Sequence, residues 1–164
     1  MSQPMPHNRA PNAGFTLIEL VVTMVVIAIL AAIAIPSYQN QIRHSRRTDA
    51  KSALLDLAAR EQNVYSTTSA YGATPASVGY TGATWPVTVG SGYYSVNLTI
   101  VPAVAPANST VTGTPATFTL VATPIAGTSQ ANDAGCASFT LTSAGVQTAL
   151  NSAAVDNSVA CWGS

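Results

Sequence analysis

The chain has 164 residues, enough for one domain; 48% of them are hydrophobic and 7% charged, far below the roughly 25% charged residues of an average soluble domain. Six Lys and Arg balance six Asp and Glu, so no net field of either sign recruits DNA or an anionic membrane by default. Every basic residue lies at or before Arg60, and the rest of the chain carries only Glu61, Asp133 and Asp156 as charged groups, with no His, which argues against acid–base or nucleophilic catalysis and so against an enzyme.

Residues 1–14 form a polar leader in which Pro4, Pro6 and Pro11 discourage helix, and it ends at Gly14. From Phe15 to Ile35 the chain is apolar except for Thr16, Glu19 and Thr23. As a helix this run spans roughly 31 Å, the thickness of a hydrocarbon core. A helix buried in a large soluble core would look the same, but about 130 further residues are too few to wrap it easily. The sequence around Ile35-Pro36-Ser37 is a poor match to a signal-peptidase site, so the segment is expected to stay in the protein.

Gly14-Phe15-Thr16-Leu17-Ile18-Glu19-Leu20, followed by an apolar helix, closely resembles the N-terminus of type IV prepilins and the related pseudopilins. The resemblance implies that prepilin peptidase, a membrane-embedded aspartic peptidase, cuts after Gly14 and methylates the new N-terminus at Phe15. The leader departs from the family in carrying Ala13 rather than a basic residue before Gly14, with Arg9 as its clear positive charge.

Glu19 has a physical argument of its own. A carboxylate among apolar residues costs a few kcal/mol in lipid and is seldom kept without a partner. No Lys or Arg lies within one helical turn, whereas cutting after Gly14 creates an ammonium at Phe15, four residues away. By resemblance to pilins, Glu19 pairs with the N-terminal amine of a neighbouring subunit and sets its register; the bland alternative is a protonated or snorkelling Glu at the interface.

Pro36 removes an intrahelical hydrogen bond and is expected to kink or locally melt the helix. Beyond it, residues 37–66 become amphipathic: Ala50, Ala53, Leu54 and Leu57 follow the i, i+3, i+4, i+7 pattern and Val64 extends it, giving a face that should pack on a sheet. The whole helix from Phe15 to about Ser66 would measure roughly 78 Å if straight, more than one small domain can cover, so its apolar half needs a membrane or copies of itself.

Arg43, Arg46, Arg47 and Lys51 form a basic cluster with only Asp49 in compensation. It reads as a solvated face, an inter-subunit contact, or a patch for anionic lipid or nucleic acid. Counting positive charges would put this cluster in the cytoplasm. The prepilin-like leader and the distal cysteines argue for the opposite orientation, with a cytoplasmic N-terminus and residues 67–164 in the periplasm, then outside the cell.

After residue 66 come ten of the eleven Gly, and residues 67–92 read as a helix-to-sheet loop. Tyr71, Tyr80, Trp85 and Tyr93 in or beside it are read as core cover in preference to a stacking surface. Tyr94, Val96, Leu98 and Ile100 alternate with Ser95, Asn97 and Thr99; Phe118 and Leu120 alternate with Thr117 and Thr119; Phe139 and Leu141 form a third run. These predict an antiparallel meander with one face under the helix and a polar face of Thr and Ser.

Cys136 and Cys161 are the only cysteines, and in a periplasmic compartment they are expected to pair, much as in the C-terminal disulfide-bounded loop of type IVa pilins. Zinc is disfavoured because His7 and His44 are badly placed, and redox chemistry because the spacing is not Cys-x-x-Cys. Calcium at Asp133 and Asp156, sequons at Asn97 and Asn108, and a sugar on Ser164 are weaker readings.

The resulting expectation is an α+β type IV pilin fold: a long N-terminal helix on an antiparallel sheet, with a disulfide-closed C-terminal region. Its role would be that of a pilus subunit for adhesion, twitching motility or DNA uptake, without catalytic residues, cofactor or metal. Its partners would be other pilin subunits, prepilin peptidase, the inner-membrane assembly platform and the inner membrane. Nucleic acid is disfavoured, because a minor pilin that binds DNA needs basic groups to neutralise phosphates. That minor pilin and a type II secretion pseudopilin remain the alternatives, with a simple single-span anchored protein behind them.

Overall fold

The computed structural model describes residues 14–105 and 113–163. The leader before Gly14, the sequon at Asn108 and the proposed sugar site at Ser164 lie outside them. The chain divides into two compact units, residues 1–39 and 40–164.

Helix α1 is Leu17–Thr68 and contributes to both units. It starts two residues later and ends two residues beyond the expected bounds, and helical structure continues through Pro36, so the proline does not melt it. In the first unit Phe15–Ile35 is exposed at every position except the half-buried Ala31. An all-round apolar helix of this kind is stable only in lipid or against other helices.

In the second unit Ala50, Ala53, Leu54 and Leu57 are buried and Val64 packs against the same core, as the heptad-like spacing requires. They cover a five-stranded antiparallel sheet in the order β1 (Val87–Val89), β2 (Tyr94–Val101), β3 (Thr117–Pro124), β4 (Ser138–Thr142) and β5 (Gln147–Leu150). The predicted meander is present, with three corrections. Strand β1 and a 3₁₀ turn at Pro75–Val78 occupy part of the expected loop 67–92, and β5 adds a fifth strand. Both extra strands have four residues or fewer, too short to show an alternation of their own.

Registry aligns the inward side chains in rows across the sheet, Leu98–Leu120–Leu141 and Val96–Ala122–Phe139–Ala149. The intervening rows, Asn97–Val121–Thr140–Thr148 and Thr99–Thr119–Thr142, point away from this core. Helix α2 (Ser158–Trp162) closes the chain beside β5. At the β1–β2 turn Gly90 has φ +56°, and a Cβ there would come within 2.8 Å of Asp49 Cβ, so the turn can sit against α1 only with glycine. Ser91 Oγ then donates to the Asp49 carboxylate.

Candidate functional site

The predicted processing and assembly residues lie at the start of the first unit. Gly14, Phe15 and Thr16 precede α1 in non-helical chain, and residues 14–20 are all exposed. Thr16 Oγ1 accepts a hydrogen bond from the Glu19 N–H at 3.3 Å, satisfying one of the orphan donors of the helix start. Glu19 falls in the first turn, where its negative charge meets the positive end of the helix dipole. Thus the Gly14–Phe15 peptide is non-helical and exposed, with a carboxylate one turn beyond it.

The basic cluster is neither a free patch nor a simple solvated face. Arg47 reaches Asp133 with two parallel hydrogen bonds, Nε to Oδ2 and Nη2 to Oδ1, each 2.7 Å. The two side chains are only 12% and 4% exposed. This bidentate bond holds the Arg47 guanidinium above its ordinary pKa against the opposing effect of burial. Arg46 Nη1 donates to Ser129 Oγ at 2.6 Å, and its guanidinium carbon lies 3.5 Å from the centre of the Tyr93 ring. Lys51 Nζ donates to the Trp162 carbonyl at 3.5 Å, and burial lowers its pKa. The cluster ties α1 to the β3–β4 connection, to the β1–β2 turn and to the C-terminus.

Sequence reading missed the polar groups behind that tie. Gln130 is fully buried and its Nε2 donates both to Tyr94 Oη at 2.9 Å and to Asp133 Oδ2 at 3.0 Å. Burial pushes the Tyr94 hydroxyl pKa up to about 12, so it stays a neutral partner. Glu61, also fully buried, was missed as well: its Oε2 accepts the Gly72 N–H at 2.8 Å and its Oε1 has no partner. Asp133 is bonded to Arg47, and Asp156 Oδ1 accepts from the Ser158 N–H. Among the described residues no group of three or more His, Cys, Asp or Glu could hold a metal ion.

Cys136 and Cys161 are bonded and buried. Within the bridged segment and from it to its flanking residues, Asn157 Nδ2 donates to Gly135 O, Ala149 N–H to Ser158 Oγ and Trp162 Nε1 to Thr148 O, each at 2.9 Å. The Trp162 ring meets Phe139 edge-on at 5.8 Å. Tyr71, Tyr80, Trp85 and Tyr93 are half-buried against the core, as cover for a small domain. Asn97 is exposed on the outward face of β2.

The N-terminal stretch matches the prokaryotic N-terminal methylation motif over residues 9–35. Over that region the chain is 61% identical, along 36 residues, to prepilin peptidase-dependent protein D of Escherichia coli K12, covering 22% of this chain and 25% of the relative. It is 40% identical over 60 residues to the type IV major pilin protein PilA of Myxococcus xanthus, covering 37% and 27%. It is 64% identical over 33 residues to the type IV major fimbrial protein FimA of Dichelobacter nodosus, covering 20% and 21%. The matched stretch thus spans about a quarter of the length of these relatives. Residues 36–140, well over half of the chain, match the family described as type IV minor pilin ComP, DNA uptake sequence receptor. With that match added to the long apolar helix, the antiparallel meander and the closing disulfide, the chain belongs to the type IV pilin family, in the branch of the minor pilin ComP.

Proposed function

We propose that this protein is a structural subunit of a type IV pilus. Prepilin peptidase cuts it after Gly14 and methylates Phe15. Residues 15–36 hold it in the inner membrane with the N-terminus cytoplasmic and residues 67–164 in the periplasm, and an assembly platform draws it into a helical filament. The observation that carries this reading is the methylation motif joined to an apolar helix exposed on all sides. Such a helix gains stability by passing from lipid to contact with other helices, and a non-closing contact between copies builds a filament. The test is mass spectrometry of sheared surface filaments: subunits beginning at methylated Phe15 support the reading, and an intact leader with no filament form refutes it.

Glu19 is proposed to pair with the Phe15 ammonium of a neighbouring subunit. Its replacement by Val is expected to leave membrane insertion intact or better, since a charge costing about 3 kcal/mol at the bilayer centre is removed. Filament incorporation should fall sharply. Fractionation followed by blotting of membrane and sheared filaments measures both, and normal incorporation rules out the registry role.

A second reading, a DNA-uptake receptor within the pilus, is favoured by the family matched over residues 36–140. Against it stands the charge distribution: no Lys or Arg follows Arg60, and Arg46, Arg47 and Arg60 are engaged within the fold. If this reading holds, affinity must come mainly from uncharged contacts. Log Kd should then change with log salt with a slope of no more than about 2, against roughly 0.9 for each phosphate neutralised. Fluorescence anisotropy with duplex DNA across a salt series decides it, and absence of binding at low salt removes this role.

A further inference from the structure

We propose that Glu61 is a proton-operated latch: while neutral it holds the connection of residues 69–80 against α1, and its ionisation releases that connection.

Geometry makes the case. The Glu61 side chain is completely buried, its Oε2 takes one hydrogen bond from the Gly72 N–H at 2.8 Å, and its Oε1 has no partner. A buried carboxylate normally needs a cation or several donors to stay ionised. No such group faces it. Between Glu61 and Asp133 the sequence has no charged residue, and β4 and β5 have none either, so the only titratable groups that the strands and the connection offer are tyrosine hydroxyls. On α1 the adjacent Arg60 is already held by Asp56 Oδ2 at 2.8 Å and by Val78 O at 3.3 Å. Tyr65 and Tyr71 stack on each other with ring centres 4.6 Å apart, and Tyr71 meets Phe118 edge-on at 4.8 Å. Tyr80 Oη bonds to Asp56 at 3.1 Å. Burial accordingly raises the Glu61 pKa, and the Gly72 hydrogen bond opposes this only in part.

The segment it holds folds tightly on itself. A Cβ on Gly72 would collide with the Ser77 side chain and come within 3.1 Å of Val78 Cγ1. Water therefore reaches Glu61 only when the segment lifts. Because the folded pKa lies above the unfolded one, the folded state holds the extra proton. The contribution of this group to stability is full below the ordinary carboxylate range and is lost as pH rises through the raised folded value. Lifting the connection hydrates the carboxylate locally, so opening should share that pH dependence.

Hydrogen exchange of the full chain in detergent micelles, from roughly pH 5 to 9 and corrected for intrinsic rates, tests the latch. Residues 69–80 should lose protection by up to about tenfold per pH unit over the titrating range, while residues 94–101 of β2 do not. Glu61→Gln should flatten the profile of residues 69–80. A flat wild-type profile, or an unchanged slope in Glu61→Gln, overturns the proposal. Should that variant fail to fold, the ¹³C shift of the Glu61 carboxyl followed through a pH titration of the wild type decides instead: ionisation displaced above the ordinary carboxylate range supports the latch, and ionisation within that range refutes it.

Discussion

Arg47→Met is expected to destabilise the unit of residues 40–164 by about 3–5 kcal/mol. The reason is less the loss of attraction than what is left behind. Asp133 is 4% exposed, and without Arg47 its carboxylate keeps only the Gln130 Nε2 donor at 3.0 Å as a side-chain partner. Methionine fills much of the space of the arginine stem but offers no donor, so a charge stays buried with little compensation.

Removing both charges at once separates the pair from its burial. Arg47→Met with Asp133→Leu is expected to recover a large part of the loss, because well-packed apolar replacements of a buried ion pair are often close to neutral. Asp133→Leu alone should cost less than Arg47→Met alone, since the guanidinium can turn toward solvent on its long stem while the short aspartate cannot. Urea unfolding of the four proteins gives the coupling directly. Near-additive losses would mean that the bidentate contact does not hold α1 to the β3–β4 connection. The same cycle bears on the DNA reading, because an arginine committed to Asp133 is not available to a phosphate.

The elements that carry these effects differed in how legible they were. Strands β2, β3 and β4 announced themselves by strict alternation, and the buried stripe Ala50, Ala53, Leu54, Leu57 was readable at helical spacing. Strands β1 and β5 are too short for a period to emerge and exist because a neighbouring strand supplies their hydrogen bonds. Glu61 sits four residues after Leu57 and three before Val64, so the stripe itself placed an acid on the covered face. Arg47 lies three residues before Ala50 on the same face, a signal hidden by reading the cluster as charge alone. Its partner is 86 residues away, and no local pattern could identify it. A lone acid in a region without bases was the available clue. Gly14, Phe15 and Glu19 were legible through family resemblance, since a cleavage signal leaves no imprint on packing.

The second large effect is expected from the disulfide. Replacing Cys136 and Cys161 together by Ser should lower stability by about 3.5 kcal/mol in the loop-entropy model for a separation of 25 residues. For a unit of this size that corresponds to a fall in Tm of roughly 10 °C. Two buried hydroxyls in an apolar site add to the cost unless each finds a partner. The loss should be cooperative, because the bridged segment contributes Phe139, Leu141 and Ala149 to the central core. It should nevertheless leave α1 inserted, since no residue of Phe15–Ile35 takes part in that core. Thermal unfolding of wild type and double variant, each without reductant, reads the difference, and Cys136→Ala with Cys161→Ala separates the entropy of the crosslink from the buried hydroxyls. An unchanged Tm in both variants would mean that the β4–β5–α2 region is held by its hydrogen bonds and the Trp162–Phe139 contact alone. A large loss in Ser but not in Ala would assign the effect to buried polarity instead of chain closure.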